Sequence, residues 1–231
     1  LVFDFETTGL PVDNWADFHP EDGYEQWDNG NYKMRNGKKI ERTRSDESNW
    51  PHAVQFCYVV YDNRTNEMKL NNTLVKLPDG VDITEESQKI HKISKEDTEK
   101  GKDIKDVMNE FIDDYNKATI IVAHNIKFDR NLVLVELKRL SVSTRLDISE
   151  DERKKYYEFM MKFYTNGNEY CTAKYGADIC QYIAVNKAGK EYYRMPKLME
   201  LYEHLFHSIP ENLHDSMVDT YACLKCFAKM K

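Results

Sequence analysis

Alternating or continuous runs of apolar residues predict strands in four places along the chain. The chain opens with LVFDFETTGL, in which apolar residues surround two acids. Two further alternating runs, AVQFCYVVYD at 53–62 and EMKLNNTLVKL at 67–77, are separated by the turn-like DNRTN, so we expect an antiparallel pair. The wholly apolar run TIIVA, at 119–123, is typical of a short strand in the centre of a sheet.

Helices are predicted where the apolar residues recur every three or four positions. One such stripe comprises Ile104, Val107, Met108, Phe111, Ile112 and Tyr115. A short capped helix is predicted after Thr84, and longer helices at 151–164, from Pro196 onward and from Asp215 to Lys229. The run YIAVNKAGKEYY predicts a polar hairpin. Because strands come first and helices alternate later, we expect an α/β sheet with helices on both faces.

Residues 11–50 are rich in Asp, Asn and Gly and are predicted to be a polar insertion after the first strand. Residues 13–28 carry six acids and no Lys or Arg, whereas residues 33–44 carry six Lys or Arg and one acid. Asn-Gly pairs suggest a hairpin in the basic half. We expect an arm that contacts substrate phosphates, or else a solvated loop neutralised by the acidic stretch. Its candidate phosphate contacts are Lys38, Lys39, Arg42 and Arg44.

Length and composition favour one globular domain over residues 1–231. The 231-residue chain is 41% hydrophobic, and it has no apolar run near the roughly 18 residues that span a membrane, so we expect no membrane insertion. Five cysteines, an odd number, favour reduced thiols in an intracellular compartment over disulfides. The pair Cys223 and Cys226 lacks a well-spaced second pair for zinc. No signal peptide is evident, and the natural N-terminus is expected upstream of Leu1.

The first strand carries two carboxylates, Asp4 and Glu6, on one face, about 7 Å apart because side chains on a strand alternate. Two carboxylates beside a buried sheet repel unless a cation, a shared proton or solvent relieves the repulsion. Gly9 in the following turn would let a ligand approach the backbone. The segment therefore predicts either a metal site or an edge strand with a solvated acidic face.

Two acids later in the sequence are expected to lie close to Asp4 and Glu6. On the last predicted helix Asp219 shares an apolar face with Cys223, Cys226 and Met230. This face is expected to pack on the sheet, so Asp219 points toward the core and the cysteines are core residues. Asp129 follows the central strand, and ligands collect at the ends of such strands. Four carboxylates without a basic partner imply bound Mg²⁺ or Mn²⁺, which prefer oxygen ligands.

Three segments carry a resemblance to a known family. DFETTGL, AHNIKFD and HDSMVD resemble, in order and spacing, the signatures of the DEDD superfamily of 3′–5′ exonucleases, in its histidine-bearing, DnaQ-like branch. That branch includes the proofreading epsilon subunit of DNA polymerase III. The resemblance covers nearly the whole chain apart from 11–48. It implies a ribonuclease H-like fold, with a mixed five-stranded sheet flanked by helices, and two Mg²⁺ or Mn²⁺ ions held by Asp4, Glu6, Asp129 and Asp219.

The resemblance also implies roles for neighbouring residues. His214, on the loop before the last helix, would be the general base, since an imidazole accepts protons near neutral pH; the alternative is an ordinary loop histidine. His124 and Asn125 would order the Asp129 loop or contact the nucleotide, and Phe128 would contact substrate or belong to the core. Four residues of the loop after the first strand would contact the terminal nucleotide: Thr7, Thr8, Gly9 and Leu10.

These features predict a metal-dependent enzyme that releases nucleoside monophosphates from 3′ ends of single-stranded nucleic acid, with DNA favoured. One alternative is an exoribonuclease that trims RNA or short oligonucleotides. A second, from another class, is a catalytically silent nucleic-acid-binding or scaffolding protein, which loss of an acidic ligand would signal; all four acids are present. A polymerase or another replication or repair protein is the expected protein partner.

Overall fold

The computed structural model describes residues 1–11, 18–20, 47–209 and 215–231, together with the backbone at 34–35 and 38–39. The strands are β1 (Val2–Thr7), β2 (Met34–Arg35), β3 (Lys38–Lys39), β4 (Ala53–Asp62), β5 (Glu67–Leu74), β6 (Ile121–Ala123), β7 (Glu169–Cys171), β8 (Ile183–Val185) and β9 (Glu191–Tyr193). The helices are α1 (Glu85–His91), α2 (Lys95–Thr98), α3 (Ile104–Tyr115), α4 (Ile126–Ser141), α5 (Glu150–Tyr164), α6 (Thr172–Cys180), α7 (Leu198–Phe206) and α8 (Ser216–Met230). A 3₁₀ turn covers Glu47–Asn49.

Five strands form one mixed sheet in the order β5-β4-β1-β6-β7. β1 pairs antiparallel with β4, and it runs parallel to β6, which in turn is parallel to β7. The predicted ribonuclease H-like fold with a mixed five-stranded sheet is therefore confirmed. Because β1 and β6 are parallel neighbours, their carboxyl ends lie at the same edge of the sheet.

β1 is covered on both faces, which explains its nearly continuous apolar sequence. Phe3 and Phe5 point to one face, where Phe5 stacks on Phe56 of β4 at 3.9 Å between ring centroids and Phe3 contacts Phe111 of α3. Val2 points to the other face and packs in a core cluster with Cys223 of α8. Since side chains alternate, Asp4 and Glu6 share the α8 face with Val2.

The chain separates into two compact units. The first holds residues 1–8, 53–129 and 167–231, and thus the whole five-stranded sheet. The second holds residues 9–52 and 130–166. Within this second unit Phe18 packs edge-on against Trp50, and Arg139 donates to the backbone carbonyls of Glu47, Trp50 and Pro51. The single domain expected from length stays a prediction.

Most predicted elements are confirmed, including helix α3, the hairpin of β8 and β9, and the backbone pairing of β2 with β3 in the basic segment. One helix start was predicted wrongly: α7 begins at Leu198 and not at Pro196, because the Glu200 carboxylate accepts from the backbone N–H of Lys197 and makes that residue the cap. Strand β7 and helix α6 were missed, since α6 begins directly after Cys171 at the end of β7, with no turn residue between them, and Gly176 interrupts the helical run. Within the described ranges, no helix is both long and apolar enough to cross a membrane.

Candidate active site

Three carboxylates meet where β1 ends beneath the first turn of α8. Asp4 and Glu6 come from β1, and Asp219 comes from α8, which packs against β1 and β4. Each offers one oxygen, and these oxygens lie within 4.8 Å of one another. The apolar face of α8 causes this placement, because Cys223 and Cys226 are buried in the core and Asp219 lies one turn before Cys223.

Asp129 joins the group from the first turn of α4, just beyond the end of β6. Its side chain is 2% exposed, and its Oδ1 accepts a hydrogen bond from the backbone N–H of Phe5 at 3.2 Å. Phe5 lies between Asp4 and Glu6, so this bond anchors the second acidic motif directly to the first. The structure thus brings three of the four predicted metal-binding carboxylates within 4.8 Å of one another and anchors the fourth, Asp129, to the strand that carries Asp4 and Glu6.

Burial and mutual repulsion disfavour ionisation of this group. Burial, followed by the negative charges of Asp129, Glu6 and Asp219, raises the pKa of Asp4 well above its ordinary value. Burial and neighbouring carboxylates, led by Asp219, raise the pKa of Glu6 to about 8. The pKa of Asp129 also rises to about 8 through burial, although the Phe5 N–H opposes the rise.

This donor set fits hard divalent cations. The charged neighbours that shift the pKa of Asp4 are all carboxylates, so a bound cation would supply the missing positive charge. Carboxylate oxygens are the ligands of Mg²⁺ and Mn²⁺, while the nearby thiol of Cys223 is buried and burial raises its pKa, which leaves it unsuited to bind metal as a thiolate.

The loop after β1 is tied to helix α1. Thr7 and Thr8 are buried, and the Thr8 carbonyl accepts from the backbone N–H of Thr84 at 2.8 Å. His91, also buried, has a pKa lowered by burial and partly restored by the backbone carbonyl of Thr7. Sequence reasoning missed the bond from Thr84 and the burial of His91, whose only signal was the segment IHKIS. Farther along, Gly9 is buried and the Leu10 side chain is 71% exposed.

His124 is held by the protein on both sides of its ring. Nδ1 lies 3.0 Å from the Thr172 hydroxyl and Nε2 lies 3.0 Å from the Pro196 carbonyl. Burial lowers its pKa to about 4, so the ring is neutral, and Nε2 carries the proton it donates to the carbonyl. Asn125 has a left-handed φ of 64° and begins the turn in which its carbonyl accepts from the Phe128 N–H. The partly buried Phe128 stays a prediction as a substrate contact, as do His124 and Asn125.

Several predicted residues lie outside the described side chains. His214, the predicted base, precedes the described start of the last segment at Asp215. Arg42 and Arg44 also lie outside the described residues, and Lys38 and Lys39 are described only as backbone in β3. Their roles stay predictions.

A sequence model of the RNase T family, described as exonuclease, matches residues 1–227. No curated protein has a matching sequence.

Solved structures of exonuclease I share the fold. E. coli exonuclease I in complex with a dA16 oligonucleotide is 14% identical, with a TM-score of 0.53 over 99% of this chain and 39% of that one. Exonuclease I from Methylocaldum szegediense is 12% identical, with a TM-score of 0.54 over 99% of this chain and 39% of that one. A product-bound exonuclease I is 15% identical, with a TM-score of 0.56 over 100% of this chain and 42% of that one. The chain therefore spans about two fifths of the length of these proteins.

Proposed function

The chain belongs to the RNase T exonuclease family, and on this premise we propose that it is a metal-dependent 3′–5′ exonuclease that releases nucleoside monophosphates from single-stranded ends, with DNA favoured. The observation that carries the proposal is the meeting of Asp4, Glu6 and Asp219 within 4.8 Å, with Asp129 bonded into the same strand. A catalytically silent protein would have no need to maintain this repulsive group of acids.

Two Mg²⁺ or Mn²⁺ ions would be held by four carboxylates, those of Asp4, Glu6, Asp129 and Asp219. Bound there, the pair would favour formation of the attacking hydroxide and stabilise the leaving oxygen of the phosphodiester. Without cations the raised pKa values of Asp4, Glu6 and Asp129 favour the protonated form of these three acids, and bound cations would favour their ionised form. The buried bond from Phe5 to Asp129 keeps the second acidic motif in register with β1.

Proton transfer is assigned to His214, whose imidazole would accept a proton from the attacking water at a ring nitrogen. The segment Thr7–Leu10 would contact the terminal nucleotide. Support comes from the loop geometry, since the backbone N–H of Thr84, the residue that caps α1, donates to the Thr8 carbonyl and holds the loop in place. The exposed side chain of Leu10 would then be available to pack beside a base.

The preference for DNA is supported by the oligonucleotide complex of E. coli exonuclease I, a dA16 complex with the same fold. We also propose a reducing compartment, in line with five free cysteines, and a polymerase or another replication or repair protein as partner.

Degradation of end-labelled single strands tests this proposal. Matched DNA and RNA strands, labelled at the 5′ end and incubated with Mg²⁺, Mn²⁺ or EDTA, should give a ladder shortened from the 3′ end, faster for DNA and absent with EDTA. Asp4→Ala is the control for contaminating nuclease. A 3′-phosphorothioate end should slow the reaction, and a circular strand should stay intact. Faster loss of RNA would make the enzyme an exoribonuclease, and nicking of the circle would contradict exonuclease action.

A further inference from the structure

The predicted polar hairpin forms as a separate ribbon of two strands, β8 and β9, outside the five-stranded sheet. In its turn the Gly189 N–H donates to the Asn186 carbonyl at 2.9 Å. The Asn186 side chain accepts from the backbone N–H groups of Ala188 and Lys190. Gly189 has a left-handed φ of 78°, which is typical of the last position of a three-residue hairpin loop. The tip of the ribbon, with Lys187 and Lys190, is therefore a defined structural element.

The base of the ribbon is joined to the edge of the sheet where the acids meet. The Arg194 guanidinium forms two hydrogen bonds of 2.7 Å with the Glu200 carboxylate. Two residues after Arg194, the Pro196 carbonyl accepts from His124 at 3.0 Å. His124 directly follows β6, whose carboxyl end lies at the same edge as that of β1. The ribbon therefore begins at the edge of the sheet that carries the candidate active site.

One face of the ribbon combines an open aromatic ring with a positive charge. Tyr192 pairs with Ala184, which has a small side chain, and Tyr192 is 50% exposed. Lys190 precedes Tyr192 by two residues, and the strand pairing extends to it, because the Asn186 N–H donates to the Lys190 carbonyl at 3.0 Å. Side chains two residues apart on a strand share a face, so Lys190 lies on the same face as Tyr192.

The opposite face of the ribbon is apolar and carries an acid. Ile183 pairs with Tyr193, and Val185 pairs with Glu191. Residues that pair across strands share a face, so these four side chains lie together. The Glu191 carboxylate would repel a phosphate on this face. Tyr193 is 49% exposed, about as much as Tyr192, so the two tyrosines are equally open on faces of different charge.

The charges at the tip favour an anionic ligand on the Tyr192 face. Lys187 and Lys190 are exposed, and across the described ranges neither forms an ion pair. They supply positive charge that the chain as a whole lacks, since its formal net charge is −7. Proteins bind single-stranded nucleic acid with this combination, because bases stack on aromatic rings and cations contact the phosphates. Single-stranded nucleic acid therefore fits this face better than an apolar peptide does.

We propose that the ribbon is a second contact site for the single-stranded substrate, in which a base stacks on Tyr192 and phosphates contact Lys190 and Lys187. Each strand of the ribbon has three residues, so the tip lies about 10 Å from the base. The ribbon thus contacts nucleotides upstream of the terminal one, and it raises the affinity for long strands without changing the turnover of a dinucleotide. This inference rests on the proposed function, since it presumes a single-stranded nucleic acid substrate.

Fluorescence anisotropy with a long, labelled single strand of DNA tests the inference. All proteins in this measurement carry Asp4→Ala, so that the strand stays intact. Tyr192→Ala should weaken binding about fivefold or more, which is typical of the loss of one stacked base, whereas Tyr192→Phe keeps the ring and should retain the affinity. Lys187→Ala combined with Lys190→Ala should lower the log–log slope of affinity against salt by about 1.4 units, at about 0.7 for each phosphate contact. In the enzyme that retains Asp4, these changes should leave turnover of a dinucleotide unchanged.

Tyr193→Ala is the matched control, since Tyr193 is equally exposed on the opposite face, and it should leave the affinity unchanged. Unchanged binding by Tyr192→Ala would overturn the inference. Equal losses in the two tyrosine variants, or an unchanged salt slope in the double lysine variant, would also overturn it. If the parent protein neither binds nor degrades any single strand, the proposed function fails. That result comes from the parent alone and is distinct from a failure of the ribbon variants.

Discussion

Phe5 donates its backbone N–H to Oδ1 of Asp129, at 3.2 Å, across 124 residues of sequence. This bond joins the first acidic motif to the second at a point where both are buried. The bond also allows the hydrogen-bonding role of Asp129 to be tested apart from its negative charge. The amide oxygen of an Asn at this position can accept the same hydrogen bond without carrying the charge.

Asp129→Asn should therefore fold like the parent and lose catalysis. The Asn Oδ1 keeps the bond from Phe5, while the cation loses a charged ligand. We expect the rate of mononucleotide release to fall by more than about 100-fold, which is the largest effect typical of residues that bond only to the metal's ligands. Asp129→Ala should lose activity equally and also stability, since it leaves the Phe5 N–H buried without an acceptor, at about 1–3 kcal/mol. Activity of Asp129→Asn near the parent rate would remove Asp129 from the metal ligands.

Without cations, the stability of the protein should fall as the pH rises from about 5 to about 8. The pKa values of Glu6 and Asp129 rise from 4.5 and 3.8 to about 8 on folding. In this window the folded protein still holds protons that the unfolded chain has released, so the free energy of unfolding decreases with pH and levels off above about 8. Tm measured in EDTA across this range checks the slope, and excess Mg²⁺ should flatten it. Asp129→Asn should show a shallower slope than the parent in EDTA.

The rate of the reaction should fall on the acid side if His214 is the base. An imidazole must be neutral to accept a proton, and its ordinary pKa is about 6.5. His214→Ala should therefore lose most of its activity, and kcat of the parent should decline below about pH 6.5. The pH profile at saturating Mg²⁺ measures this. A His214→Ala variant with the parent's rate and profile would show that another group takes the proton.

Binding of long single strands should depend on the basic segment. A Lys or Arg that binds a phosphate releases counterions, so removing one such side chain lowers the log–log slope of affinity against salt by about one unit. Changing Lys38, Lys39, Arg42 and Arg44 together to Ala should weaken binding of a long strand and reduce this slope, while turnover of a dinucleotide stays constant. An unchanged slope would redirect the search for the phosphate-binding residues to helix α5, with Arg153, Lys154, Lys155 and Lys162.

Replacement of His124 by Phe should distinguish support from substrate contact. Its ring nitrogens bond to the Thr172 hydroxyl, which also lies within bonding distance of the Ala123 carbonyl, and to the buried Pro196 carbonyl, so the variant removes the His124 donor from that carbonyl at about 1–3 kcal/mol. For a chain of this size that is a fall of several degrees in Tm. KM for a short oligonucleotide should stay near the parent value. A large rise in KM with an unchanged Tm would instead show that His124 contacts the nucleotide.

The sequence alone determined the elements whose signal is local and periodic. The six-residue stripe of α3 and the alternation in β1, β4 and β5 predicted those elements, because a helix or strand that packs on one face repeats its apolar residues with a fixed period. The same alternation placed Asp4 and Glu6 on one face. The spacing of Asp219 from Cys223 and Cys226 predicted that Asp219 faces the core. The resemblance of three segments to a family of exonucleases linked Asp129 to the other three acids.

Tertiary structure alone decided how these parts meet. Strand β7 passes into helix α6 with no turn residue between them, so no local signal marks the boundary; pairing with β6 defines the strand, and α6 packs against α7. The 3.2 Å bond from Phe5 to Asp129 and the hold of Thr84 on Thr8 join residues far apart in sequence, and no local pattern encodes such a distance. Nor could the raised pKa values be read from residue types, since they arise from burial and from charges that only the fold brings together.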